Sequence, residues 1–371
     1  MANSRAALTR LAPWLLGGFG LVMLLLVGRS FAGSSGFGYD FDAYYSAASR
    51  LARGQPLYPF GLAEAYNSGS YAGLYLYPPP LAVLLTPFSL LAQDVATNAW
   101  LWLRVALLAG GIAILPVSAM ARGATLAVAA ISFPVWYDLN LGNISVLLVA
   151  LSAVIWRFRD RPIGSLALAA AGTIRYPFGA VLLAWGVARR WKLVGWTILF
   201  GLVLIALTLP GAGVQAWLDY VRTITSLGNV TAGEHNLSFV TTADALGLPG
   251  PHGAWTGVGM GIGVALTVYA AWKRDHETAT VVALTATILT FPFFHPHYLA
   301  QLAIPAAFLA GRGQWWGLAL PLLGWLPGEW MAPAAAVAIA APLTRPSFLR
   351  FSFGGERSGG AAGFAAGPTQ P

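Results

Sequence analysis

The chain has 371 residues, 57% of them hydrophobic and only 9% charged, against roughly a quarter charged in a soluble domain, so an ordinary water-soluble enzyme is excluded and a bilayer is the fitting solvent. Cysteine is absent, which removes a disulfide scaffold, a thiolate metal site and a cysteine nucleophile together. The net charge of +8 comes from basic residues set between apolar stretches, the pattern of cytoplasmic membrane loops rather than of a nucleic-acid surface.

A spanning helix takes about 20 apolar residues, and thirteen apolar stretches recur along the chain. They run Leu11 to Gly28, Pro78 to Leu91, Asn98 to Ser118, Gly123 to Tyr137, Asn143 to Trp156, Pro162 to Ile174 and Pro177 to Ala188. Leu193 to Pro210, Trp255 to Trp272, Thr278 to Phe291, Tyr298 to Ala310, Trp315 to Leu326 and Trp330 to Leu343 complete the series. The first is longer than a signal-peptide core and reads as a retained helix. The resulting expectation is an all-α polytopic membrane protein, with about 12 transmembrane helices plus one re-entrant or short segment. A single transmembrane domain covers 1–353, and the Gly/Ala/Ser-rich tail 354–371 reads as disordered and cytoplasmic.

Basic residues cluster at Arg5/Arg10, Arg157/Arg159/Arg161, Arg189/Arg190/Lys192, Lys273/Arg274, Arg312 and Arg345/Arg350/Arg357. The positive-inside rule places all of these on the cytoplasmic side and puts the loops 33–77 and 211–254, with the His295/His297 region, on the outer face. Parity then requires one of the three apolar segments between the first outer loop and Asp138 not to cross. Pro78 to Leu91 is the candidate, being short, opening on three prolines and containing Pro87.

Both outer loops exceed the usual connection length, and long loops tend to be functional. In the first, Phe41, Tyr44, Tyr45, Ala48, Leu51 and Ala52 follow helical spacing and Gly54 supplies a stop, so Asp42 to Arg53 reads as an amphipathic surface helix. Asp42 suits its N-cap, which leaves Asp40 free to take a proton from a hydroxyl at the membrane boundary.

Other polar groups fall on the same face. Tyr77 heads Tyr77-Pro78-Pro79-Pro80, a rigid entry into an apolar segment. Arg175 stands alone between two short apolar segments, where an ionisable residue is a functional candidate and snorkelling is the alternative. Arg104, a turn or two inside its helix, joins that face, and Leu141-Gly142-Asn143 and His235-Asn236-Leu237-Ser238 add neutral hydrogen-bonding groups. His295 and His297 flank a proline without a third ligand nearby, so they read as donors aimed at a phosphate rather than as a metal site.

In this order Asp40-Phe41 with Tyr44-Tyr45, Gly54-Gln55-Pro56-Leu57-Tyr58, Tyr77-Pro78-Pro79 with Pro87, Leu141-Gly142-Asn143, Arg175-Tyr176-Pro177, Asn236-Leu237-Ser238 and His297-Tyr298 resemble glycosyltransferase family 87. Asn143 stands where the family often has Gln, and Arg175 where Lys is common. The resemblance implies a C-type membrane glycosyltransferase fold with surface helices in the outer loops. It also implies inverting transfer of a sugar, mannose first and arabinose second, from a polyprenyl-phosphate donor to a hydroxyl of a glycolipid or polysaccharide, on the periplasmic face of a bacterial inner membrane.

Asp40 matches the family's first-loop aspartate and would be the base. Arg175, His295, His297 and Arg104 would hold the donor phosphate, and Asp42, Tyr44, Tyr45, Tyr77, Asn143 and Asn236 would contact substrate. No cofactor, metal or nucleic acid is implied. A transporter or flippase of a lipid-linked or sugar substrate, and a non-catalytic envelope subunit, are the competing classes. Two similar halves and mid-helix charges, expected of a carrier, are not seen in the sequence.

Overall fold

A computed structural model describes residues 2–34, 36–59, 65, 73–226, 236–291 and 294–344, with side chains from Arg10 onward. The tail 354–371, the Arg345/Arg350/Arg357 cluster and part of each outer loop lie outside the described residues. Every regular element among the described residues is helical. Side-chain caps start several helices, with Ser118 accepting from Ala121 N, Ser238 from Val240 N and Asp275 from Thr278 N. Proline opens others, as at Pro79 and Pro162, where its missing N–H would have had no partner.

Four helices are long and apolar enough to cross a membrane: Arg10–Phe31, Gln93–Ala113, Trp191–Ser226 and His252–Lys273. The third is broken at Gly213, whose φ of 74° interrupts the helical backbone. The pair Ala119–Ala130 and Phe133–Leu141, bent by 62°, makes a fifth if it is one span.

The expected count of about twelve spans is therefore not supported. Most of the other apolar stretches fold as shorter helices: Pro79–Leu85, Ser145–Arg157, Pro162–Ile174, Gly179–Val187, His276–Ala286 and Ala303–Gly311. The longest of these have 13 residues, a rise of roughly 20 Å against a hydrocarbon core of about 30 Å. Much of their apolarity serves protein packing, while Leu84, Ile163 and Leu166 are exposed. Val149, Ala153, Trp156, Val181, Trp185, Leu284 and Ile304 are completely buried, whereas Trp191–Ser226 exposes Leu202, Leu207 and Val214.

The surface helix of the first outer loop begins three residues earlier than expected, at Tyr39, and ends at Ala52. Gly38, in the left-handed region at φ 79°, precedes it, and no side chain caps it. Asp42 is thus inside the helix and is not its cap: its Oδ1 accepts from Gln93 Nε2 at 2.6 Å. The helix buries Phe41, Tyr44, Ala47 and Ala48, and Phe41 stacks on Trp100 at 5.7 Å and meets Phe88 edge-on.

The two ends of the helical body differ chemically. At one end Arg159, Asp160, Arg190, Asp275, Glu277 and Arg312 form a continuous set of ion pairs, into which Trp156 Nε1 donates through Glu277 Oε1 at 2.9 Å. The other end holds Asn143, Ser145 and Arg175. Ser145–Arg157 has Ser145 at its start and Trp156, which reaches the ion pairs, near its end; of the basic residues expected on one face, Arg159, Arg190 and Arg312 meet there.

Candidate functional site

The site is organised by a short turn. Phe133–Leu141 ends at Gly142, which takes φ 79° and donates to Asp138 O at 3.0 Å, a glycine stop of the left-handed kind. A Cβ on Gly142 would lie 2.7 Å from Phe41 Cβ, so the surface helix can approach only because residue 142 has no side chain. Gly38 N donates to Asn140 O at 2.8 Å across the same seam.

Asn143 follows, and its orientation is determined by its bonds. Its Oδ1 accepts from Ile144 N at 2.7 Å and from Ser145 Oγ at 3.2 Å, leaving Nδ2 to donate to Asp40 Oδ2 at 2.7 Å. The same nitrogen lies 3.5 Å from the Tyr77 hydroxyl. Asp40, in the first turn of the surface helix, is pushed up to about 6 by burial, opposed by the Asn143 hydrogen bond and by the Arg104 charge.

Tyr77 is placed by the residues around its prolines. Tyr75 Oη donates to Pro78 O at 2.7 Å and accepts from Ala82 N at 2.9 Å, while Tyr58 Oη donates to Tyr77 O at 2.6 Å. The Tyr77 ring then meets Tyr44 edge-on at 5.2 Å. Tyr45 points elsewhere, donating to Leu91 O at 2.8 Å.

Arg175 is buried where Pro162–Ile174 ends. Its guanidinium carbon lies 3.4 Å from the Tyr298 ring centre and 4.6 Å from that of Phe291. A small cavity of about 10 Å³ is lined by Arg175, Tyr298, Ser145 and Gln301 among others, and Ser145 connects it to Asn143 and so to Asp40. Arg175 Nη2 and both ring nitrogens of His297 are buried and have no hydrogen-bond partner among the described residues. His295 stacks on His297 at 5.5 Å, and Tyr298 meets His297 edge-on at 4.5 Å. Among the described residues no group of three or more His, Asp or Glu could hold a metal ion.

Asn236 stands behind this arrangement. Its Oδ1 accepts from Phe294 N at 2.9 Å, and Leu237 N donates to Phe294 O at 2.8 Å, so the Asn236-Leu237 dipeptide holds the segment that carries the histidines.

Asp40, Tyr44, Tyr77, Asn143, Arg175, His295 and His297 are therefore gathered at one end of the body, while Asp42 and Tyr45 are turned away. Arg104 departs from its expected role on the donor phosphate. It is completely buried and paired with Asp138 Oδ2 at 3.2 Å, because a guanidinium at that depth requires a counter-charge. Asp138, Ser145 and Tyr298 were not foreseen as site residues. The available signal was a carboxylate in the last turn of an apolar helix, an unfavourable place next to the helix dipole unless a cation pairs with it.

The model of glycosyltransferase family 87 matches residues 75–300, which include Tyr77, Arg104, Asn143, Arg175, Asn236, His295 and His297 and stop short of Asp40. No curated protein and no solved structure matches the chain.

Proposed function

The chain belongs to glycosyltransferase family 87, a membrane glycosyltransferase by family and by its long apolar helices, and from this premise we propose that it moves a sugar from a polyprenyl-phosphate donor to an acceptor hydroxyl with inversion, Asp40 acting as the base. Family membership sets aside the carrier and the non-catalytic subunit as readings. Mannose is the first sugar to test, glycolipid or polysaccharide the acceptor, and the outer face of a bacterial inner membrane the location.

The carrying observation is the Asp40 carboxylate held by Asn143 at the end of the body where Arg175 Nη2 and the His297 nitrogens lack partners among the described residues. Buried polar groups without partners are uncommon and ask for an explanation, and a phosphate provides one. In the reaction the acceptor oxygen attacks the anomeric carbon as its proton passes to Asp40. The bond from that carbon to the phosphate oxygen breaks, and polyprenyl phosphate leaves with the electron pair, its charge met by Arg175 and the His295/His297 pair. A lipid donor accounts for a site built between membrane helices and a surface helix.

The test is turnover by purified protein in nanodiscs with polyprenyl-phosphate mannose and polyprenyl-phosphate arabinose offered separately. Transfer from either that disappears in Asp40→Asn supports the reading. Transfer only from a nucleotide sugar would overturn the donor class, and an active Asp40→Asn would overturn the base.

A further inference from the structure

From the bonds that run from Gln93–Ala113 into the 138–145 turn, we infer that the buried Arg104/Asp138 pair is a positioning device that holds Asn143, and through it Asp40, in the geometry used for transfer. The inference rests on Asp40 being the base.

Arg104 does more than neutralise a carboxylate. Its Nη1 donates to Asp138 O at 2.7 Å and to Asn143 O at 3.3 Å, and its Nη2 donates to Leu139 O at 3.0 Å. One turn earlier on the same helix, Trp100 Nε1 donates to Gly142 O at 2.8 Å. Two side chains of one rigid helix thus hold four carbonyls of the turn. From the opposite side Asp138 Oδ1 accepts from Ser145 N at 2.9 Å, fixing the start of the next helix and with it the hydroxyl that orients the Asn143 amide. Every bond that decides where Asn143 Nδ2 points passes within two residues of an atom touched by Arg104 or Asp138.

The chemistry of the pair favours this over a merely stabilising role. Both side chains are completely solvent-excluded, and a buried ion pair is a poor source of stability compared with apolar residues of the same volume. What it supplies is direction. A guanidinium fork fixes several acceptors at once, which neither an ammonium nor an apolar side chain can do. Arg104 also places a positive charge close enough to act on Asp40.

Two variants test the inference beside Asp40→Asn in nanodiscs. In the double variant Arg104→Met/Asp138→Asn both charges leave together, so no unpaired buried charge remains. Arg104→Lys keeps the charge but loses the fork. The groups acting on Asp40 in the native protein are Arg104, Asp138, Asn143, Tyr44, Tyr77, Tyr137 and Tyr298. The double variant removes the Arg104 charge, which favours the ionised base, together with the Asp138 charge, which opposes it, so the loosened Asn143 hydrogen bond is what moves the limb. We expect kcat to fall about 100-fold, the scale of a 1 Å misplacement, with donor affinity unchanged and the acid limb of the pH profile moved to higher pH. Arg104→Lys should move the limb the same way and less far, and it carries the test if the double variant does not fold.

Folded variants with native kcat and limb would overturn the inference, as would a lower kcat with an unmoved limb, which is the signature of a structural role alone. An inactive Asp40→Asn beside a normal double variant rejects the positioning role and keeps the base. A fully active Asp40→Asn rejects both.

Discussion

Asn143 Nδ2 donates to Asp40 Oδ2 at 2.7 Å, joining residues 103 positions apart in the chain, and Asn143 has no freedom to turn because its own oxygen accepts from Ile144 N and Ser145 Oγ. Asp42, two residues further along, bonds instead to Gln93. The two carboxylates should therefore separate on substitution. Asp40→Asn should lose transfer by roughly 10²- to 10⁴-fold, the usual loss of a general base, while Asp42→Asn retains most of its turnover, since Asn can still pair with Gln93. Side-by-side assays in nanodiscs decide it, and the reverse ranking would exchange the two roles.

The pH profile follows from the environment of Asp40. Burial pushes its carboxyl up to about 6, and a base must be ionised to accept a proton. Below that pH the group is protonated and inert; above it the group works. The kcat/KM profile, which reports the free enzyme, should rise through an acid limb near pH 6. Asn143→Ala removes a hydrogen bond that favours the charged form, so its limb should move to higher pH. A flat profile between pH 5 and 8 would separate Asp40 from the titration.

Gly142 is a backbone requirement of the site. Its φ of 79° suits glycine, and a Cβ there would stand 2.7 Å from Phe41 Cβ and 3.1 Å from Phe41 N. Gly142→Ala should cost about 1–2 kcal/mol in backbone strain and push the surface helix, with Asp40, off Asn143. A lower melting temperature together with a kcat loss larger than that strain alone would produce is expected. A variant as active and as stable as the native protein would show that the contact can relax.

Different parts of this arrangement were legible in the sequence to different degrees. Asp40, Asn143, Arg175 and the two histidines could be selected because charged and amide groups beside apolar segments require a reason to be there. Asp42 could not be told from a cap, because helix starts are uncertain by a few residues and the helix begins on Gly38 rather than on a side-chain cap. The span count failed for a different reason: Val149 and Val181 face other helices while Leu202 and Leu207 lie on the exposed surface, yet composition reads all four alike. Arg104 was legible as a functional charge but its partner was not, since pairing with Asp138 is a tertiary fact.

Donor binding should depend on Arg175. Its guanidinium is held between Phe291 and Tyr298 with Nη2 unpaired among the described residues, and a charge-assisted bond in such a place contributes about 1.5–3 kcal/mol. Arg175→Ala should then weaken donor use roughly 10- to 100-fold with acceptor KM little changed, and His297→Ala should act in the same direction. Equal loss toward donor and acceptor would mean that the phosphate is held elsewhere.

The orientation of the molecule can be tested with single cysteines because the chain has none of its own. Gln93–Ala113, long enough to span, starts at the surface helix through the Gln93–Asp42 bond, and His252–Lys273, also long enough, ends two residues before Asp275 of the ion-pair cluster, so each end of the body stands at the end of a candidate span. Positive residues favour the cytoplasmic side, and Arg159, Arg190 and Arg312 all belong to the cluster end. Ser34, exposed just before the surface helix, should then face outward, and Lys192, exposed beside Arg190, inward. In intact cells an impermeant thiol reagent should label Ser34→Cys and reach Lys192→Cys only after permeabilisation. Labelling in the opposite order would invert the protein and move transfer to the cytoplasmic face; labelling of both in intact cells would place the two ends on the same side and reject the orientation.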